Sequence, residues 1–402
     1  ALETRQRFVW NKLITGAFRV GVSQRMVTRA LAEVTGVPQP VVAHRLMGHW
    51  EPTPQFFRGL FDANTQDADR SRPYPFFLAH PWEDDIDKLG DARDWQAEWK
   101  WDGIRAQYIR RDGRHYLWTR GEELVTERYP ELDPVGEALP EGTVIDGELL
   151  PWRDGQVLPF AQMQRRIGRK TIGKKLLREV PVVLMAYDLL EWRGEDIRAR
   201  PLYERRAVLE EAVQQAGLPG LLRASPLVEA DTWHTCAQRR AESRERLVEG
   251  LMLKRQDSPY RVGRTRGDWW KWKVAPYTID AVLIYAQRGH GRRANLYTDY
   301  TFAVWQDENL VPFAKAYSGL NDDEMRKVDR FVRQNTVEKF GPVRSVKPEL
   351  VFELGFEAIQ RSTRHKSGIA VRFPRILRWR TDKQPHDADT LDTIQSMLPE
   401  RA

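Results

Sequence analysis

The chain has 402 residues, 41% of them apolar and 30% charged, with a formal net charge of +7 and a pI of about 9.4. That length accommodates two or three domains, and the basic balance makes a polyanion such as nucleic acid the first partner to consider, beside the plainer reading of a basic but ordinary surface. The single cysteine, Cys236, excludes an internal disulfide and points to a reducing compartment, while no apolar run long enough for a bilayer, no paired Cys/His spacing for structural zinc and no signal peptide is apparent.

Residues 1 to about 70 read as helices. Phe8, Val9, Leu13 and Ile14 recur at helical spacing, as do Val27, Leu31 and Val34. Gly21 and Ser23 mark a helix start and Gly36-Val37-Pro38 its end. Val41, Val42, Leu46 and Met47 suggest a third helix, Phe57 and Leu60 a fourth. Ala1 falls inside a helical pattern, so a piece of a longer protein, or a processed or trimmed chain, is expected. Lys12, Arg19, Arg25 and Arg29 either meet a DNA backbone, aided by helix N-termini, or form solvated helix faces.

Arg72 to Pro81 is Pro-rich and reads as an extended linker. Strands then mix with helices. Trp95 to Ile109 alternates, turns at Asp112-Gly113 and returns over His115 to Thr119. Val144-Ile145 leads into Asp146-Gly147-Glu148, and Val182 to Leu190 is a buried strand stopped near Gly194. Pro201 to Ala216 and Asp231 to Leu247 read as helices, Leu251 to Lys254 and Trp269 to Val274 as short strands. Beyond Tyr277 about five strands are expected: Ala281–Ala286, Asn295–Trp305, Val311–Tyr317, Leu350–Phe356 and Ala370–Ile376. With one helix over Asp322–Lys339, they fit a small Greek-key barrel of the OB type.

The most informative stretch is Glu98-Trp99-Lys100-Trp101-Asp102-Gly103-Ile104-Arg105. By itself, a lysine before Asp-Gly is more often a strand end and a hairpin turn than a nucleophile. Further clusters follow in order: Arg120-Gly121-Glu122, Asp146-Gly147-Glu148, Tyr187-Asp188-Leu189, Glu249-Gly250-Leu251-Met252-Leu253-Lys254, Trp270-Lys271-Trp272-Lys273, and Arg372-Phe373-Pro374-Arg375 with Lys383. Lys271 and Lys273 share one strand face, leaving Trp270 and Trp272 for a core. Taken singly, Glu148 and Glu249 would read as solvated carboxylates and the lysine pair as an amphipathic edge strand. Among the eight histidines no catalytic dyad or metal pair is visible.

The ordered series resembles the covalent nucleotidyltransferases and, within them, the ATP-dependent DNA ligases, over almost the whole chain. The resemblance implies a multidomain α+β protein: a partial all-α DNA-binding domain (1–72), an α+β, ATP-grasp-like adenylyltransferase domain (73–275) and a C-terminal OB-fold β-barrel (276–402). It implies that Lys100 attacks the α-phosphorus of ATP, giving a lysyl-AMP that passes to a 5′-phosphate at a nick in duplex DNA. Cations nearby favour the neutral, nucleophilic amine. Glu98 would face adenine, Tyr187 stack on it and Met252 cover its other side. Arg105 and Arg120 would contact the nucleotide or the 5′-phosphate. Lys254, Lys271 and Lys273 would neutralise the α-phosphate. Glu148 would reach the ribose or a metal, Glu249 a metal, and Asp102 the loop or a metal-bound water, the ion being Mg²⁺ or Mn²⁺. Arg372, Arg375 and Lys383 would orient pyrophosphate, with a hinge near Val274 to Thr278. The loop with Arg288, Arg292 and Arg293 suits a phosphate backbone, or is merely solvated. A monomer in the bacterial cytoplasm, associated with the nucleoid, is expected. The enzymatic rival is an RNA ligase or capping-type guanylyltransferase, and the non-enzymatic one a nick- or end-binding protein.

Overall fold

The computed structural model describes residues 3–14, 22, 24–46, 50–61, 71–169, 172–289 and 293–398. The chain divides into two compact units, Ala1–Lys273 and Val274–Ala402. Ser23, Gly21 and Met47, named above as helix signals, lie outside the described residues.

Helices form at Thr4–Ile14, Gln24–Thr35, Gln39–Arg45 and Pro54–Gly59. Gly36 takes a φ of +73°, just past the second helix, and stops it. Val42, Leu46 and Leu60 form a small core with Leu31, Val37 and Phe56 packed against it. The first helix does not behave as its periodicity suggests. Phe8, Leu13 and Ile14 stay 50%, 59% and 67% exposed. Spacing specifies a helix, but burial needs a partner surface, and no described core cluster includes these residues.

The Pro-rich stretch is extended, but it is not a free linker. Tyr74 and Phe76 are buried, and Phe77 is fully so. The Tyr74 backbone N–H donates to the side-chain oxygen of Gln107 at 2.7 Å, and the Tyr74 hydroxyl donates to Glu191 at 2.7 Å. Aromatic residues between the prolines supply the apolar area that fastens it.

Thirteen strands follow in the first unit: β1 (Phe77–Leu78), β2 (His80–Pro81), β3 (Trp95–Trp101), β4 (Ile104–Arg111), β5 (Arg114–Thr119), β6 (Thr143–Arg153), β7 (Gln156–Val157), β8 (Val182–Trp192), β9 (Glu195–Asp196), β10 (Leu222–Ala224), β11 (Val248–Arg255), β12 (Gly263–Arg264) and β13 (Trp269–Lys273). One sheet runs β10-β8-β6-β4-β5 and a second runs β2-β13-β11-β3. The alternating run from Trp95 is cut at Asp102-Gly103, so its halves belong to different sheets. A Cβ on Gly103 would come within 2.4 Å of the Leu149 carbonyl oxygen, which is why glycine stands at this crossing. Asp112 and Gly113, both at positive φ, close the β4–β5 hairpin. The helix Leu202–Ala216 packs Leu209 into the core with Tyr108, Ile145 and Leu184 of the first sheet. Ile109, Val144 and Leu190 of that sheet meet Phe77, Tyr260 and Trp269. The two sheets thus converge, and their inner faces form a cleft. The helix expected over Asp231–Leu247 is shorter, Trp233–Ala241.

The second unit contains β14 (Tyr277–Arg288), β15 (Tyr297–Gln306), β16 (Asn309–Ala316), β17 (Thr336–Phe340), β18 (Val343–Val346), β19 (Val351–Phe356), β20 (Ala358–Arg361), β21 (Ile369–Arg372) and β22 (Arg375–Trp379). A seven-stranded sheet runs β16-β15-β14-β18-β17, with β19 joining β14 to β22, while β20 and β21 pair separately. Its core includes Phe302, Phe352, Leu354 and Phe356. The helix starts at Asp322, capped by Asn321 and Glu324, but ends at Gln334 rather than Lys339. Thr336 to Phe340 instead forms β17, turns at Gly341 and pairs with β18. The run Ala370–Ile376 is likewise two strands, because Phe373 takes a φ of +53° and Pro374 has no N–H.

Candidate active site

Register alone places much of the site. Glu98 on β3 stands opposite Met252 on β11, and Met252 stands opposite Lys271 on β13. Gln96 and Trp269 flank Lys254 in the same way, and Lys273 flanks Gly250. Alternation puts these side chains on one face. Trp99, Leu251, Leu253, Trp270 and Trp272 take the other face and are buried in a core with Trp233 and Cys236.

Simple alternation would send Glu249 into that apolar core. The β3–β11 register shifts between Val248 and Leu251, so that Glu249 and Gly250 together face Lys100. This bulge re-aims the carboxylate toward the cleft. Gly250 makes it possible, with a φ of +139° and no room for a Cβ, which would lie 2.4 Å from the Trp272 carbonyl oxygen. The Lys100 ammonium donates to Glu249 Oε2. Lys273 reaches the same oxygen at 3.3 Å. Burial works against the Glu249 charge, but Lys100 and Lys273 outweigh it and hold the carboxyl below its usual range. Lys271 is pushed below the usual lysine range by burial and by the charges of Arg264, Lys100 and Lys273.

The other wall is the β4–β6–β8 sheet. Arg105 and Glu148 are directly paired across β4 and β6. Tyr187 is the extra residue where β8 slips against Asp146 and Gly147. The Arg105 guanidinium donates to both oxygens of Asp146, at 3.2 and 2.7 Å, and to the Phe77 carbonyl at 2.7 Å. Tyr260 donates to Asp146 at 2.6 Å. Arg105 therefore braces the wall, with its donors directed into the protein, instead of offering a free fork to phosphate as the resemblance implies. The Asp146 side chain is fully buried. Asp146→Ala leaves Arg105 charged and enclosed, so stability is expected to fall by about 3–5 kcal/mol, read from the urea midpoint. An unchanged midpoint would show that water replaces the pair.

Burial raises the Glu148 carboxyl to about 8, against the opposing effect of Lys100 and Arg105 and with further upward contributions from Asp146 and Asp102. The folded state thus holds a proton that the unfolded chain releases near 4.5. This contribution favours the fold at low pH and is lost as pH rises through about 8. Glu148→Gln is therefore expected to gain thermal stability relative to wild type on going from pH 5 to 8.5. A constant gap across that range would place Glu148 in open solvent.

Between the walls lies a cavity of about 160 Å³, lined by Glu98, Lys100, Arg105, Arg120, Glu148, Tyr187, Met252, Lys254 and Lys271. Arg264, Trp269 and Leu78 also line it. Arg264 carried no motif signal, and enters because β12 pairs with β1 beside Leu78. Lys254 is only 2% exposed. Its ammonium binds Glu98 at 2.7 Å and sits 4.6 Å from the ring centres of Tyr187 and Trp269. The phosphate role expected of Lys254 is not what this geometry favours. A buried lysine first needs a counter-charge, and Glu98 provides it. Asp102 lies at the turn after β3, and Asp102, Glu148 and Glu249 are not gathered as a metal cage. Among the described residues no group of three or more His, Cys, Asp or Glu side chains stands ready to hold a metal.

The second unit carries Lys383, which binds Asp280 at 2.7 Å beside Arg380 at 2.8 Å. Arg375 pairs with Glu357 at 2.9 Å, and the Arg372 guanidinium lies 5.0 Å from the Phe373 ring centre. Arg288 approaches Tyr297 at 5.8 Å. Lys12 lies on the first helix, 5.6 Å from the Phe8 ring centre, and Arg25 on the second. Arg293 begins the turn before β15. Arg19 and Arg292 lie outside the described residues.

A lysine in a cavity lined by aromatic rings and further cations is equipped to act on a nucleotide: the fold and site define a nucleotidyltransferase. Residues 77–273 match the ATP dependent DNA ligase domain, and residues 293–383 the ATP dependent DNA ligase C terminal region. The chain belongs to the ATP-dependent DNA ligases, enzymes that join DNA through a lysyl-AMP intermediate. It is 36% identical over 410 residues to a probable DNA ligase of Koribacter versatilis, covering 96% of this chain and 71% of that one. It is 36% identical over 452 residues to a probable DNA ligase of Opitutus terrae, covering 96% of this chain but 44% of that longer protein. A solved structure described in a study of Lig E DNA ligases superposes with a TM-score of 0.53 at 18% identity, covering 77% of this chain and all of its own, a likeness of fold alone. No helix among the described residues is long and apolar enough to cross a membrane.

Proposed function

We propose that this chain seals nicks in duplex DNA with Lys100 as its nucleophile. The observation that carries this reading is the β11 bulge, which sets Glu249 and Lys273 beside Lys100, itself lining the cavity with Tyr187, Met252 and Trp269. Lys100 Nζ, as a free amine, forms a bond to the α-phosphorus of ATP while the bond to the bridging oxygen breaks and pyrophosphate departs. AMP then passes to a 5′-phosphate oxygen, releasing the Lys100 amine. Finally a 3′-hydroxyl oxygen, losing its proton, bonds to the phosphorus of the 5′-phosphate while the bond from that phosphorus to AMP breaks and AMP leaves. All three are in-line displacements, in which positioning and charge neutralisation do most of the work.

Glu148 and Glu249 suit Mg²⁺, which takes oxygen ligands and needs only one or two carboxylates beside phosphate and water, and which would add positive charge at the α-phosphate. Mn²⁺ offers the same chemistry. Glu249 can serve only by exchanging its lysine partners, and Asp102 is kept for the loop or for a metal-bound water. Glu98 is assigned to adenine, Tyr187 and Met252 to its two faces, Arg120 to phosphate and Lys271 with Lys273 to the α-phosphate. Arg372 and Lys383 are candidate pyrophosphate contacts, although Lys383 must first leave Asp280. The division proposed is a helical DNA-binding part (1–72), an adenylyltransferase (73–275) and an OB-type part (276–402) with a hinge near Val274. Lys12, Arg25, Arg288 and Arg293 are candidate backbone contacts. By analogy within the family, its short loops and compact last domain suit a monomeric bacterial repair-type enzyme, while the basic charge suits a DNA partner and the lone cysteine a reducing compartment.

Lys273→Ala is expected to slow adenylylation by roughly 10²-fold, the scale of removing one preorganised donor, with unfolding unchanged. Single-turnover labelling measures this, and an unaltered rate would make Lys273 structural. Sealing of a nicked duplex with ATP tests the proposal as a whole; labelling by GTP alone would favour a capping-type enzyme.

A further inference from the structure

Glu98 is 1% exposed, yet its two carboxylate oxygens differ sharply in surroundings. Oε1 accepts from Lys254 Nζ at 2.7 Å and from Gln96 Nε2 at 2.8 Å. Those two donors occupy its lone pairs. Among the described residues no protein donor reaches Oε2 within hydrogen-bond distance, and Glu98 lines the cavity. Oε2 is thus the oxygen left open to the cavity, where a donor on a ligand can pair with it. The arrangement follows from register: Gln96 and Lys254 are directly opposed, Glu98 and Met252 form the next pair, and all four share one face. Gln96 and Lys254 thus reach Glu98 from the same side.

We propose that Gln96 and Lys254 are positioning residues that select the purine. By occupying Oε1 they leave Glu98 a single acceptor, and a single acceptor suits the 6-amino edge of adenine. The guanine edge presents a carbonyl oxygen at that position, which Oε2 repels, and two adjacent N–H donors at N1 and N2. Pairing with both donors takes both oxygens of a carboxylate, and here one is blocked. Lys254 also fixes the orientation of the carboxylate through Oε1: without that ammonium Oε1 is released, and both oxygens become available to the two N–H donors of guanine. Either loss relaxes the choice in the same direction. The inference rests on the reading that Glu98 faces the base.

The test is enzyme–nucleotide adduct formation by the full chain, with α-labelled ATP and α-labelled GTP in parallel, for wild type, Gln96→Leu, Lys254→Met and Glu98→Gln. Gln96→Leu keeps the Lys254–Glu98 ion pair and is the variant expected to fold without difficulty. Its ATP-over-GTP ratio, taken from the rate over KM, is expected to fall roughly tenfold or more, the scale on which a site built around one hydrogen bond discriminates. The change should appear mostly in KM. Lys254→Met is expected to relax the ratio further; if it does not fold, Gln96→Leu alone decides. A ratio that moves in Glu98→Gln but not in folded Gln96→Leu overturns the inference and leaves Glu98 on the base. A ratio unmoved in Glu98→Gln overturns the placement of Glu98 itself.

Discussion

Lys100→Ala is expected to abolish the enzyme–AMP adduct, lowering nick sealing from ATP by roughly 10⁶-fold, as removal of a covalent nucleophile does elsewhere. The loss is chemical, not structural. Lys100 is partly exposed in the cavity, and its one strong partner, Glu249, retains Lys273 at 3.3 Å. The carboxylate therefore keeps a counter-charge, and the fold should survive the truncation. Two controls separate the steps. ATP should still bind without reacting, because the aromatic lining of the cavity is untouched. A nick already carrying AMP on its 5′-phosphate should still be sealed, because the last displacement needs no free lysine. A variant that still forms the adduct would move the nucleophile to another residue of the cavity.

Gly250→Ala is expected to be the most damaging substitution that removes no functional group. Its added methyl meets the Trp272 carbonyl oxygen at 2.4 Å and the Lys273 Cα at 2.7 Å, both backbone atoms that cannot turn aside. Its φ of +139° is strained for any L side chain. Relief requires β11 to part from β13, or the bulge to straighten. Straightening carries Glu249 toward the apolar face of Trp99 and Trp272 and moves Lys273 away from Lys100. Adenylylation should fall at least 10²-fold, as when a group is misplaced by about 1 Å, together with about 1–3 kcal/mol of stability. Activity at wild-type level would mean that the bulge is dispensable, and with it the proposed role of Glu249.

The order of the motifs was legible from residue types, and so was the turn at Asp112-Gly113, because glycine and aspartate act locally. The face shared by Lys271 and Lys273 follows from alternation within one strand. Three features were not legible, each because it depends on a partner distant in sequence. Alternation alone sends Glu249 to the wrong face; only the register against β3 reveals the bulge. Lys254 and Arg105 look like free cations until Glu98 and Asp146 are seen beside them. Nothing local in Arg72 to Pro81 tells that Tyr74 will find Glu191, 117 positions away. The helix expected to reach Lys339 stops at Gln334 because Thr336–Phe340 pairs with β18 across the turn at Gly341, a partner the helical spacing does not show. In the first helix the period was right, but no core among the described residues covers it.

The central claim is that Lys100 carries AMP during the reaction. Wild-type protein incubated with α-labelled ATP and magnesium, then digested and mapped by mass spectrometry, tests it most directly. The account predicts one AMP adduct, on the peptide containing Lys100, discharged when pyrophosphate or nicked DNA is added. An adduct on another lysine, or labelling by GTP and not by ATP, would contradict it.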